Sequence, residues 1–148
     1  MVQEQSDYID GHLEVLFCVE GRNINPDELS SIFGVTPVQI IRRNDKRIRK
    51  STGVVLGYYT ESYWVFSSEH FISDSDINVH LEWILSNIRQ HKNYLSSLQK
   101  DSARICIEIR YKSNSRLFST SYLIDSKYLT EIAALGLDMG HVFISANN

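Results

Sequence analysis

At 148 residues and a formal charge of -3, the chain has the length of one domain and buries about 70 per cent of its unfolded surface on folding. Its 15 Lys and Arg against 18 Asp and Glu lack the basic excess of a dedicated nucleic-acid binder, and no apolar run approaches the roughly 20 residues that cross a bilayer. The two cysteines, Cys18 and Cys106, lie far apart in sequence and each falls in an expected strand, which points to buried free thiols rather than a disulfide framework or metal knuckle.

The polar, acidic start from Met1 to Gly11 has no signal-peptide pattern, so a cytoplasmic location is expected. From His12 to Glu20, Leu13, Val15, Phe17 and Val19 alternate with their neighbours, the pattern of a half-buried strand. Asn25 then caps a short helix, with Pro26 at its first position and Glu28 placed to reach back to the Asn25 amide. Leu29, Ile32 and Phe33 face inward, and Gly34 ends the helix. Pro37 precedes a short strand at Val38 to Arg42, which places that strand at an edge.

Arg42 to Lys50 carries six basic residues and one acid, a local +5 that leaves -8 on the remainder of the chain. With Asn44-Asp45 at its centre it reads most simply as a solvated turn or hairpin tip. Thr52 to Ser68 is aromatic and β-branched, with Thr60 to Ser62 as a candidate turn, and reads either as one long strand or as a hairpin.

The longest periodic run, Asp76 to Lys100, places Ile77, Leu81, Ile84, Leu85, Ile88, Leu95 and Leu98 along one side of a helix, with a kink or break expected near His91 to Tyr94. Ala103 to Lys112 alternates most cleanly of all, and a turn at Ser113 to Ser115 leads into a hairpin partner at Arg116 to Ile124. Asp125 or Ser126 caps a third helix with Leu129, Ile132 and Ala133 inward and Gly136 at its end, and His141 to Ser145 closes the sheet. The fold expected is a single α+β domain over residues 1–148, one antiparallel sheet with three helices packed mainly on one face.

No catalytic or cofactor signature appears, and the chain is read as a non-enzyme without cofactors. Asp74-Ser75-Asp76 does not open a calcium loop, because Val79 stands where glycine is needed and Leu85 where a bidentate glutamate is needed. His80 and His91 share a helix azimuth but stand about 16 Å apart, too far to share a metal. The basic stretch with Tyr58, Tyr59, Tyr63 and Trp64 is the best candidate for a nucleic-acid or phosphate-ligand surface. The acids Asp7, Asp10, Glu14, Glu20, Asp27, Glu28, Glu61, Glu69, Asp74, Asp76 and Glu82 are candidates for a negative face that steers a basic partner.

Asn25-Pro26-Asp27-Glu28-Leu29, Phe33-Gly34-Val35-Thr36-Pro37, Asn44-Asp45, Tyr63-Trp64-Val65-Phe66-Ser67-Ser68, the helix from Ile77 and Leu135-Gly136-Leu137 together resemble the bacterial domain-of-unknown-function family 4279, with Ser51 to Thr60 reading as an insertion. That resemblance supplies no catalytic residues. It implies a protein similar to immunity proteins that neutralise toxins in interbacterial competition. The expected function is therefore a binding protein that blocks a cognate toxin domain, with nucleic acid and membrane unexpected as partners. Candidate contacts are Arg42, Arg43, Lys46, Arg47, Arg49, Tyr59, Glu61, Tyr63, Glu69 and Asp74.

Overall fold

The computed structural model describes residues 11–113 and 122–145. Strand β1 (Gly11–Gly21) is the centre of a five-stranded sheet. Its alternation is the expected one, but both of its faces are covered: Val15, Phe17 and Val19 lie under helices, while Glu14, Leu16 and Cys18 are also buried on the opposite side. A strand at the middle of five has long side chains on both flanks to close over it, which alternation alone does not reveal.

Helix α1 (Pro26–Phe33) has the expected cap at Asn25, whose side-chain oxygen accepts from the Asp27 and Glu28 amides at 3.1 and 3.4 Å, and the expected Pro26 at its first position. It buries Leu29 and Phe33 and ends at Gly34 with φ of 64°. Strand β2 (Gln39–Ile41) is the expected edge strand. Strands β3 (Lys46–Ile48) and β4 (Val55–Tyr58) then form a two-stranded sheet of their own, and β5 (Ser62–Ser67) returns to the main sheet between β2 and β1. Thr52 to Ser68 is thus neither one strand nor a hairpin: β4 and β5 belong to different sheets.

The long periodic run divides into α2 (Ile77–Ile88), a 3₁₀ stretch over Arg89–His91 and α3 (Lys92–Lys100), just before the place where the apolar spacing falters. All seven apolar residues of its stripe are buried. Each such Leu or Ile contributes roughly 1.5–3 kcal/mol relative to an exposed one. Phe17, Phe33, Trp64 and Phe66 pack edge-to-face or tilted beneath these helices, with ring centroids 5.4–6.4 Å apart. The Trp64 indole N–H is satisfied in that apolar setting because it donates to Ser30 Oγ at 2.9 Å.

The last third corrects the expected topology. Strand β6 (Arg104–Ser113) pairs antiparallel with β1 and parallel with β7 (Asp138–Ser145), giving the order β2-β5-β1-β6-β7. The main sheet is therefore mixed, not antiparallel throughout. With both edges of β6 occupied from Cys106 to Ser113, no edge remains for the expected hairpin partner. Residues 116–121 of that expected strand lie outside the described residues, and 122–124 are not strand. A parallel neighbour needs a crossover, and α4 (Ser126–Ala134) is part of it. Its inward residues are Tyr128 and Ile132, whereas Leu129 is 44 % exposed and Ala133 is exposed. The aromatic ring at Tyr128 covers more of the core than Leu129 would, and this sets the rotation of the helix. Among the described residues, α1 to α4 all contribute to one core over one face of the sheet.

Candidate functional site

The basic stretch and the segment after it become an arm. Asp45 Oδ2 accepts from the Arg42 amide, Asn44 takes a left-handed φ of 71°, and the Asn44 and Tyr59 backbones bond across the base of the arm. Asn44-Asp45 therefore makes the base rather than the tip, which falls between Arg49 and Val54. Both strands of the arm project exposed side chains: Ile48 is 54 %, Leu56 51 % and Tyr58 58 % exposed, with Val54 and Val55 nearby. Lys46, Arg47, Arg49 and Lys50 are exposed among them. The Arg47 guanidinium lies 5.7 Å from the centroid of the Tyr59 ring, which steadies both. A two-stranded ribbon without a core of its own is marginal in water.

The face of the main sheet away from the helices carries a second group. Its cross-strand pairs Glu14–Arg110 and Glu20–Arg104 join opposite charges on β1 and β6. Glu14, 3 % exposed, accepts from the Ser67 hydroxyl at 2.8 Å and lies 3.6 Å from Lys112 Nζ. Burial alone would raise the Glu69 carboxyl, but its hydrogen bond with Glu14 and the charges of Lys112, His12 and His70 hold it below its ordinary value. His12 Nε2 stands 3.0 Å from Glu69 Oε1. Glu14, Glu69, Arg110 and Lys112 line a cleft of about 340 Å³.

The expected contacts fall into separate groups. Arg42, Arg43, Lys46, Arg47, Arg49 and Tyr59 share the arm and its base, where the Arg43 amide donates to Ser62 Oγ and the Arg42 guanidinium pairs with Asp27 at 2.9 Å. Glu61 stands in the turn leading to β5, close enough to Arg104 to act on its charge. Tyr63 lies on the helix-free face against Cys18, and Glu69 lies in the carboxylate cluster. Asp74 belongs to neither, since its side chain accepts from the Asp76 amide and its carbonyl accepts from His80.

Nor do the acids converge on one negative face. Glu14 is buried, Glu20, Asp27 and Glu82 pair with Arg104, Arg42 and Arg89, and Asp76 caps α2. Asp7 and Asp10 lie outside the described residues.

Two further arrangements escaped the sequence. Ser68 and His80 form a Ser–His contact of 2.6 Å, but both are fully buried and the ring's other nitrogen donates to the Asp74 carbonyl at 2.7 Å. The contact ties the end of β5 to α2. An apolar groove of about 450 Å³ runs past Ile72, Val79, Trp83 and Tyr128, with Phe71 stacked on Trp83 at 4.6 Å. Among the described residues no group of three or more His, Cys, Asp or Glu could hold a metal, and no helix is long and apolar enough to cross a membrane.

The described residues thus form an α+β domain, with helices over one face of a mixed sheet and a charged two-stranded arm beside it. Residues 11–142 match the family model described as Domain of unknown function (DUF4279), and the chain belongs to that family. Searches of curated proteins and of solved structures returned no match.

Proposed function

We propose that this domain is a non-enzymatic binding protein that anchors a partner protein on its β3–β4 arm. The observation that carries this reading is the arm itself: four apolar side chains, Ile48, Val54, Leu56 and Tyr58, each more than half exposed, among four exposed cations on a two-stranded ribbon. A partner with an apolar contact bordered by acidic groups complements it, and the excess positive charge speeds encounter. Within that class, the resemblance favours a bacterial toxin domain, which the bound protein blocks sterically while both are in the cytoplasm.

Growth tests this reading. Expression of the C-terminal portion of the neighbouring upstream gene product should arrest a host, and co-expression of this chain should restore growth. Replacing Arg43, Arg47 and Arg49 with alanine should weaken that rescue. A harmless neighbour would remove the toxin as partner, and full rescue by the triple variant would remove the arm as anchor.

The same cations support a second reading, a nucleic-acid or phosphate-ligand surface, in which they neutralise phosphates. Retention on heparin that falls steeply with salt and disappears in the triple variant would favour it. Retention unchanged by the three substitutions would exclude it.

A further inference from the structure

Cys18 of β1 and Cys106 of β6 are register partners in adjacent antiparallel strands, in contact on the sheet face opposite the described helices, and both are free thiols. We propose that this pair is a thiol oxidation site, converted by a hydroperoxide into a cross-strand disulfide and restored by a small-molecule thiol. Facing residues of an antiparallel pair stand about 4.5–5.5 Å apart at Cα, inside the roughly 4.4–6.8 Å that disulfides span. Facing Cβ atoms of such a pair generally stand about 4.5–5.5 Å apart, against the roughly 3.5–4.5 Å of a disulfide, so closure draws β1 and β6 together. Strained disulfides of this kind are the readily reduced ones, which suits a reversible site.

The two thiols are not equivalent. Cys18 is 2 % exposed, whereas Cys106 is partly exposed and opens on a cleft of about 330 Å³ lined also by Tyr63, Arg104, Glu108 and Asp138. Contact with the Cys18 thiol is the largest influence on Cys106 and lowers its pKa, outweighing burial and the nearby Glu108 and Asp138 carboxylates; Arg104 acts in the same direction. The same contact and deeper burial push Cys18 up. Accessibility and acidity thus coincide at Cys106, as the attacking sulfur requires.

In the first step Cys106 sulfur attacks the peroxide, the O–O bond breaks, and the departing alcohol (water, for hydrogen peroxide) takes the thiol proton. Cys106 is left as a sulfenic acid. Cys18 sulfur then attacks Cys106 sulfur, and its proton leaves with the displaced hydroxide as water. Two thiols lose two hydrogen atoms, and the peroxide is reduced by two electrons.

The experiment uses the whole chain treated with equimolar hydrogen peroxide, then alkylated with N-ethylmaleimide under denaturing conditions and weighed intact. The expected product is a monomer lighter by two hydrogen atoms, with neither cysteine alkylated, and dithiothreitol restores both sites. Cys18→Ser should stop at a sulfenic acid on Cys106 that dimedone traps. Should serine at that buried position unfold the chain, Cys18→Ala gives the same readout. Retention of both alkylation sites would overturn the proposal, and so would oxidation of Cys106 to a sulfinic acid with Cys18 left free, or a disulfide between two chains.

Discussion

Ser68 Oγ lies 2.6 Å from His80 Nδ1, and neither residue has exposed surface. Because the Asp74 carbonyl only accepts, His80 Nε2 carries the ring proton toward it, and in the neutral ring Nδ1 accepts from the Ser68 hydroxyl. The same hydroxyl oxygen accepts from the Val15 amide at 2.9 Å, so one side chain ties β1 and the end of β5 to α2. Ser68→Ala strands the Val15 amide and the His80 nitrogen, each worth about 1–3 kcal/mol when buried without a partner. His80→Leu should cost a similar amount, because it strands the Ser68 hydroxyl and the Asp74 carbonyl. Urea unfolding should find the double variant less destabilised than the sum of the two, the mark of a shared network.

Arg89 clamps two helices. It reaches Glu82 of α2 at 3.0 Å and Glu131 of α4 at 2.9 Å. The Arg89 hydrogen bond is the main reason that the Glu82 carboxyl sits below its ordinary value near 4.5. A depressed folded value means that the stabilisation is full above the unfolded carboxylate range and is lost as pH falls through the folded value. The groups are substantially exposed, so Arg89→Ala should cost no more than about 1 kcal/mol at neutral pH. Thermal melts of the variant and the parent should converge as pH drops below about 4.5, and 1 M salt should narrow the neutral-pH gap.

Local signals in this sequence were legible where one principle acted alone. Asn25, Pro26 and Gly34 mark the ends of α1, and the stripe from Ile77 to Leu98 marks the two helices that bury it. What period and capping do not encode is which strand lies beside which. Ile105, Ile107 and Ile109 announce a strand, but the same alternation serves an antiparallel hairpin and a parallel crossover, and only the completed sheet shows that β7 takes the edge. The site follows the same rule. Arg42 to Lys50 was legible as a charged turn region, and Tyr58 as an aromatic beside it, while the exposure that makes Ile48 and Leu56 their apolar partners was not. The facing of Cys18 and Cys106 depends on the register of strands more than eighty residues apart, although both sit at polar-face positions of their strands, which was a usable hint.

Gly34 and Gly136 end α1 and α4 with φ of 64° and 68°. Alanine at either position meets the left-handed penalty of about 1–2 kcal/mol. Gly34 has open space around it, but a Cβ at Gly136 would stand 3.1 Å from Gln99 Nε2, whose amide donates to the Leu135 and Gly136 carbonyls. Gly136→Ala should therefore lower the melting temperature more than Gly34→Ala does. Gly34→Asn should recover part of the loss at Gly34, because asparagine tolerates that conformation.

The arm separates binding from stability. Ile48, Leu56 and Tyr58 lie outside the buried core, and threonine keeps their strand preference while removing apolar surface. The triple variant Ile48→Thr, Leu56→Thr, Tyr58→Thr should leave the unfolding free energy of the body within about 0.5 kcal/mol per site, as exposed substitutions usually do. Partner affinity should fall at least tenfold, since apolar groups at an anchor are covered on binding and each truncated hot-spot side chain costs roughly 1–2 kcal/mol or more. Charge and apolar contact contribute differently: the Arg43, Arg47 and Arg49 alanine variant should slow association and reduce its salt dependence, whereas the threonine variant should mainly speed dissociation. Association and dissociation rates measured at two salt concentrations distinguish the two. A folded threonine variant that holds its partner as tightly as the parent would move the interface off the arm and onto the helix-free sheet face.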